Sequence, residues 1–474
     1  TNETPFLVVF LLYAFYSWLA FPLYTQYIAI PLVFWAGLIF LAKLIRFKLK
    51  FIKHSVFGLV WCVAYAVTIV LNRHYSPLGE QIRSLIWLFV FCVVIYSACY
   101  QTDKAAPNMV VVSWTTRLFT MLASGFSLYT YYARWLPWLE MPDQTYALVG
   151  FLNHRLFGVY VDPNFGALFA TLSLTFSLYY FVEKRRRLGE TLFNLVNAII
   201  QLLYIGLSYS RTGLVILIVT GSLFLIGFGV NAFRNREHTR IRLVREITLR
   251  SLAFILVIFL IWKPFWDMDR ARSLGYLLFD IPLEEQLETE SQSDLSKSGS
   301  RFKNKSDGTR RSAQVVALLE QENRSDTESS GNERIVLMQE GIELLLHKPI
   351  FGVGDRNIRM AAQEFMPDSL LAYGKVPHNA YIFVILASGL VGGLICFIWL
   401  IQSALLFFKT SMFKKRLQLL APWYAVIPIV ICLISSLFLQ DLFLTMSPSA
   451  FIFWFFLGYI RRSSRTQPMN EKVR

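Results

Sequence analysis

The sequence has little charge. Asp, Glu, Lys and Arg make up 16% of its 474 residues, against about 25% in soluble domains. Length alone would allow two or three soluble domains, but this scarcity excludes that for most of the chain. Cysteine is also sparse. Cys62, Cys92, Cys99, Cys396 and Cys432 each lie inside an apolar run, and none has zinc or redox spacing. They read as small buried hydrophobes. No His-Glu-x-x-His motif is present and no set of outward carboxylates has the spacing of a divalent-ion cage, so no metal and no cofactor are expected. A Walker-type phosphate loop and a serine nucleophile elbow are missing too. Internal repeats and heptads are absent.

What is abundant is apolar surface. Hydrophobic residues are 55% of the chain, with 41 Phe, 22 Tyr and 12 Trp, a composition suited to lipid-facing helices and their interfaces. A net charge of +15 raises the question of nucleic acid. The basic residues fall in short clusters between apolar runs, which is the positive-inside pattern instead. About 20 apolar residues cross a bilayer core. Candidate spans fall near 5–24, 27–45, 55–72, 83–99, 109–131, 164–182, 191–209, 213–232, 247–263, 379–407, 417–439 and 446–460. Thr-Asn-Glu-Thr-Pro, with no basic region, precedes the first run, which therefore reads as a transmembrane helix rather than a cleavable signal peptide.

Charge sets the expected orientation. Basic clusters follow the second span (Lys43, Arg46, Lys48, Lys50, Lys53), the sixth (184–187), the eighth (234–245), the tenth (Lys409, Lys414, Lys415, Arg416) and the last (Arg461, Arg462, Arg465). Both termini are then cytoplasmic and the odd links face outward. The expected organisation is an all-α polytopic membrane protein of about twelve spans. Helices one to nine occupy 1–263, a large extracytoplasmic loop 264–378, helices ten to twelve 379–461 and a cytoplasmic tail 462–474. Within the loop, 284–331 is polar and expected to be flexible. Residues 332–347 carry Ile335, Met338, Ile342, Leu345 and Leu346 at helical spacing opposite Glu333, Glu340 and Glu343. That predicts an amphipathic helix on the membrane surface or capping the bundle. Lys348-Pro349 stops it and 351–354 turns.

Positive charge on the outward side is the informative oddity. Arg155, Arg211, Arg334 and Lys375 all fall there, where basic residues are normally sparse. Residues 191–232 are almost continuously apolar except for Ser210-Arg211-Thr212-Gly213, which predicts two helices joined by a very tight hairpin. An arginine held at that depth is costly unless paired or bound to an anion. Ser210 or Thr212 can cap the second helix, whose N-terminus also favours anions. Those features suggest a phosphate or diphosphate site. Asp162-Pro163-Asn164 reads as a turn and cap at the mouth of the sixth span.

His378 is the candidate base. It sits in Pro377-His378-Asn379-Ala-Tyr381, where the long loop returns to the membrane. Arginines nearby would keep its pKa low, which suits a base that accepts a hydroxyl proton. Gly389, Gly392 and Gly393 follow and allow close helix contact. Of the other histidines, His54 and His238 read as solvated on cytoplasmic links, His154 as a neighbour of Arg155, and His347 as serving the end of the amphipathic helix.

These pieces together resemble the O-antigen ligase and O-antigen polymerase superfamily, the WaaL/Wzy-type bacterial membrane glycosyltransferases. The resemblance rests on Arg155-Leu-Phe-Gly with Asp162-Pro-Asn164, on Ser210-Arg211-Thr-Gly213, on Arg334 with 347–354, and on Pro377-His378-Asn379-Ala-Tyr381 with Gly389 downstream. It is clearest over 150–400. It implies a GT-C-like helical fold and a metal-independent, inverting transfer. A glycan on undecaprenyl diphosphate would pass to an acceptor hydroxyl outside the bacterial cytoplasmic membrane, in surface polysaccharide assembly. Arg211 and Arg334 would hold the leaving diphosphate, with Arg155 and Lys375 helping, and His378 would activate the acceptor. The implied partners are the lipid-linked donor, a glycan or lipid acceptor, the bilayer and other polysaccharide-assembly proteins, with no nucleic acid. Nothing marks a lipid A-core site, which tilts the expectation to a polymerase over a ligase. A polysaccharide or lipid transporter (flippase) is the alternative of another class. Its charges should lie at the midplane between repeated halves, not gathered at one face.

Overall fold

The computed structural model describes residues 3–20, 25–99, 102–133, 138–140, 146–152, 155–182, 187–235, 248–252, 254–257, 329–413 and 420–463. Most of the segment 284–331, with His154 and His238, lies outside them. The principal helices are α1 (Thr4–Tyr16), α2 (Thr25–Phe47), α3 (Leu49–Leu71), α4 (Leu78–Phe89), α5 (Thr102–Tyr132), α6 (Pro163–Val182), α7 (Leu188–Leu207), α8 (Arg211–Asn235), α9 (Ser329–His347), α10 (Ile358–Phe365), α11 (Ala380–Phe413), α12 (Leu420–Ser435) and α13 (Pro448–Ser463). Six described segments are long and apolar enough to cross a membrane: Tyr27–Phe47, Lys50–Leu71, Leu78–Cys99, Pro107–Tyr132, Leu188–Leu207 and Ala380–Phe408. Shorter apolar helices, among them Thr4–Tyr16 and Ala425–Ser435, accompany them. The protein is a polytopic membrane protein, mostly helical.

Two short antiparallel hairpins precede α6: β1 (Trp138–Glu140) with β2 (Tyr146–Leu148), and β3 (Gly150–Leu152) with β4 (Arg155–Gly158). The chain after β4 then runs beside the residues that follow α1, through Ala20 N to Val159 O at 2.8 Å and Val161 N to Trp18 O at 3.2 Å.

The two ends of α2 and α3 correct the expectation of solvated basic links. Lys43 is 2% exposed and pairs with Glu3 at 2.7 Å, donating also to Ser97 O and Oγ, both at 3.0 Å. His54 is buried as well and stacks on Tyr96 at 5.0 Å. The helix α3 begins at Leu49, so His54 lies inside it rather than on a link. It faces the place where α4 passes through a π-helical turn (Val90–Ile95) into a 3-10 turn (Tyr96–Cys99).

The expected tenth span is not one straight rod. α11 breaks at Gly389, whose φ of 67° is outside the helical region. The rings of Tyr381 and Phe397 lie 6.2 Å apart, whereas a straight helix would separate those positions by about 24 Å. A Cβ on Gly393 would stand 3.8 Å from Ile385 Cα. Residues 380–388 therefore fold back along 390–413. The turn after α9 fills the break. Val353 N and Gly354 N donate to Leu386 O and Ala387 O, at 3.0 and 2.9 Å. Leu390 N and Val391 N donate to Pro349 O and Ile350 O, at 2.8 and 3.1 Å. Four backbone groups beside the break, Leu386 O, Ala387 O, Leu390 N and Val391 N, are thus paired, as a low-dielectric setting favours. Gly352 (φ 69°) and Gly389 meet there: a Cβ on either would come within 2.5 Å of the other's backbone N.

The helix α9 packs against the first part of α11. Leu337 and Leu344 are 2% and 0% exposed, and a Cβ on Gly341 would reach Pro377 Cγ at 3.1 Å and Ile382 Cγ2 at 3.3 Å. Glu340 accepts from Leu370 N and Leu371 N at 3.0 and 3.2 Å. The packed face is thus Leu337-Gly341-Leu344. The expected apolar face is mostly not packed: Ile335, Ile342 and Leu346 are 56%, 51% and 73% exposed. Small Gly341 lets α9 approach α11 closely, and that approach, more than hydropathy, selects which side faces inward.

Candidate active site

The Ser210 region forms the tight hairpin that its sequence suggests. α7 ends at Leu207 and α8 starts at Arg211, so only 208–210 turn the chain. Tyr209 takes a positive φ of 47°, unusual for a bulky residue. Ser210 is the cap of α8: its Oγ accepts from Gly213 N at 2.9 Å and its carbonyl from Leu214 N at 3.0 Å. Gly213 is required for space, since a Cβ there would meet Ala167 Cβ at 2.6 Å. The tip of α8 is pressed onto α6, and Arg211 is carried to the surface at the first helical position.

The Asp162-Pro-Asn164 segment caps α6 in the same way. Asp162 Oδ1 accepts from Asn164 N at 2.6 Å and its carbonyl from Gly166 N at 3.1 Å. Asn164 then does something that its sequence did not indicate. Its Oδ1 accepts from Arg155 Nη2 at 3.1 Å and from Ser210 Oγ at 2.8 Å. Arg155 Nε also donates to Ser208 O at 3.3 Å. One amide thus ties Arg155 of β4 to the cap that carries Arg211.

His378 and Asn379 precede α11. Asn379 Oδ1 accepts from Tyr381 N and Ile382 N at 3.0 and 3.1 Å, capping the helix. Its Nδ2 donates to Leu437 O at 3.3 Å, Ala380 N to Ser436 O at 2.8 Å, and Tyr381 OH to Leu433 O at 2.6 Å. The end of α12 thereby fixes the place of His378. The histidine remains solvent-accessible.

These separate pieces meet. Arg334 on α9 stands within electrostatic range of Asp162, Arg155 and Arg211. His378 stands within range of Arg334, Asp162 and Lys375. Desolvation, then Arg334 and Lys375, push the His378 pKa below its ordinary value, while Asp162 opposes them. Burial, with Arg155 and Arg211 beside it, likewise disfavours the Arg334 charge, and Asp162 offsets part of that. The N-termini of α6, α8 and α11, capped by Asp162, Ser210 and Asn379, all belong to this cluster and add partial positive charge.

Partners distinguish the cations. Lys375 is exposed and bridged to Glu333. Arg155 is held by Asn164 and Ser208. Arg211 and Arg334 make no ion pair or side-chain hydrogen bond with another described residue. The site thus has more positive charge than the nearby Asp162 and Glu333 neutralise. Among the described residues no three His, Cys, Asp or Glu side chains gather as metal ligands would. The five cysteines are unbonded. His347 stacks on Phe365 at 4.6 Å, and His74 is exposed; neither belongs to this cluster.

The arrangement sets an imidazole of lowered pKa beside a group of arginines. Residues 196–398 match the family described as O-antigen ligase. No curated protein matches the chain.

Proposed function

We propose, from the match of residues 196–398 to the O-antigen ligase family, that the protein transfers a glycan from a polyprenyl diphosphate, undecaprenyl diphosphate in bacteria, to an acceptor hydroxyl. The observation that supports this most directly is that Arg334 stands within electrostatic range of Arg155, Arg211 and Asp162, and His378 within range of Arg334 and Asp162.

His378 in its neutral form takes the proton of the acceptor hydroxyl. The freed oxygen attacks the anomeric carbon from the face opposite the diphosphate, so the configuration inverts. The bond from that carbon to the phosphate oxygen breaks, and its electron pair leaves with the diphosphate. Arg211 and Arg334 are free to take two phosphate oxygens each in planar, two-point contact. They supply charge stabilisation where negative charge develops, the part that a divalent ion plays elsewhere. Arg155 lies close enough to assist, and Lys375 reaches the site's edge from its bridge to Glu333. Transfer should persist in chelator; loss of transfer that Mg²⁺ restores would remove the metal-independent mechanism.

The basic clusters support both termini in the cytoplasm and this site on the outward face of the bacterial cytoplasmic membrane. There the lipid-linked donor, its acceptor and other polysaccharide-assembly proteins would meet it. The acceptor is taken to be a second lipid-linked glycan, which makes the protein a polymerase. A gel of surface glycan from a deletion strain tests this. Single repeats left on the surface acceptor support a polymerase. Long chains stranded on the lipid carrier with a bare acceptor make it a ligase instead. Accessibility of introduced cysteines in turn from both membrane faces would indicate transport and overturn the enzyme.

A further inference from the structure

We propose that the exposed apolar face of α9 is the track along which the isoprenoid chain of the donor lies, with its diphosphate held at Arg334. This rests on the transfer reaction above and adds where the lipid part binds. At about 100° per residue, α9 presents three faces. Leu337, Gly341 and Leu344 form the packed one. Gln339 and Glu343 lie on a polar one. Between them Ile335, Ile342 and Leu346 fall within about 40° of one another and are 56%, 51% and 73% exposed. Arg334 occupies the boundary between the packed face and this open apolar face. Arg334, which pairs with no other described residue, therefore sits beside the start of the stripe.

The stripe also continues. Ile350, 60% exposed, follows Leu346 and is bonded through its carbonyl to Val391 N at 3.1 Å. Its neighbour on α11, Leu390, opens a row of exposed apolar side chains, Leu390, Leu394, Ile398, Ile401 and Leu405, on the apolar arm of α11 that follows the break at Gly389. An apolar path thus runs from a lipid-facing helix to the arginine cluster.

Its chemistry suits one amphiphile. From Ile335 to Leu346 the stripe is about 16 Å long and one side chain wide. A protein partner needs about 800 Å² on each side, more than three or four half-open side chains offer. A linear isoprenoid fits such a stripe, and its diphosphate meets the charge at Arg334.

The test compares two donors carrying the same glycan diphosphate, one on a long polyprenyl chain and one on a chain of two isoprene units. In the variant Ile342→Gln/Leu346→Gln, the ratio of the long-chain KM to the short-chain KM should rise about tenfold, the effect of losing burial of about two methylene groups. An unchanged ratio overturns the track, whether bulk lipid or a protein covers the stripe instead. Turnover of the short-chain donor reports that the variant is folded. A separate photocrosslinking measurement uses polyprenyl diphosphate that bears a benzophenone on its chain and no glycan. Label on α9 peptides supports the track, and label confined to other helices overturns it. If wild-type protein transfers neither donor's glycan, the transfer reaction fails while the crosslink still reports on lipid binding.

Discussion

Two arginines in this molecule show how differently the same side chain can be used. Arg117, midway along α5, is 5% exposed and surrounded by partners. Its Nη1 donates to Asn194 Oδ1 at 2.5 Å, its Nε to Ser113 O at 3.2 Å, and its guanidinium lies 4.4 Å from the Trp114 ring centre. It heads a buried polar seam. Thr120, Ser124 and Tyr160 join Gln201, which bonds Asn197, which bonds Ser173 and Ser177. Such seams hold helices together where lipid offers no hydrophobic drive. Arg211 is exposed and pairs with no described residue. The fold spends two caps, a positive φ and a Gly213 contact on bringing it to that place. A satisfied arginine inside a bundle is cement; one displayed without a partner awaits an anion from outside.

That contrast can be broken experimentally. The largest effect is expected at the base. His378→Ala should lower kcat about 10³-fold with the folded protein still extracted at wild-type yield, and normal turnover would remove it from the mechanism. Arg211→Ala should cost about 10²-fold in kcat/KM, with Arg211→Lys recovering little because planar two-point contact is lost; full recovery by Lys would reduce its role to a point charge. Arg117→Ala should do the reverse. It should lower thermal stability in detergent by about 1 kcal/mol or more and leave kcat/KM of the surviving protein near wild type. A selective loss of turnover there would erase the distinction between the two arginines.

The smallest expected effect is on pH dependence. In the proposed reaction His378 works deprotonated, and its pKa is held below the ordinary imidazole value of about 6.5. The acid limb of kcat/KM should therefore fall below that value, with activity lost as pH drops through it. Arg334→Gln removes a cation beside the ring, so the limb should move to higher pH. Asp162→Asn keeps a capping side chain but removes the opposing anion, so the limb should move to lower pH. Shifts in the same direction for both variants would show that His378 does not set the limb.

Much of this site could be read locally. The hairpin at Arg211 was legible because 191–232 is too long and apolar for one helix and is interrupted by only four residues. The caps at Asp162 and Ser210 were legible from residue type. Other features depended on partners far away in sequence. Asn164 looked like a turn residue, and nothing in its neighbourhood announced that its amide would join Arg155 to Ser210. Gly389, Gly392 and Gly393 promised a close helix contact, but not that the partner would be the same helix folded back. His54 looked solvated on a basic link, and tertiary packing against Tyr96 buried it instead.

By itself the sequence determined that this chain lives in a membrane and that arginines would stand where basic residues are rare. Both follow from composition and spacing, because the cost of placing charge or bare backbone in lipid applies residue by residue. Only the tertiary structure decided that Arg155, Arg211, Asp162 and His378 come within electrostatic range of Arg334, and which side of α9 is left open. Those outcomes depend on contacts between α6, α8, α9 and α11, and on the glycines that allow them. No periodicity within a single segment encodes the direction in which two helices meet.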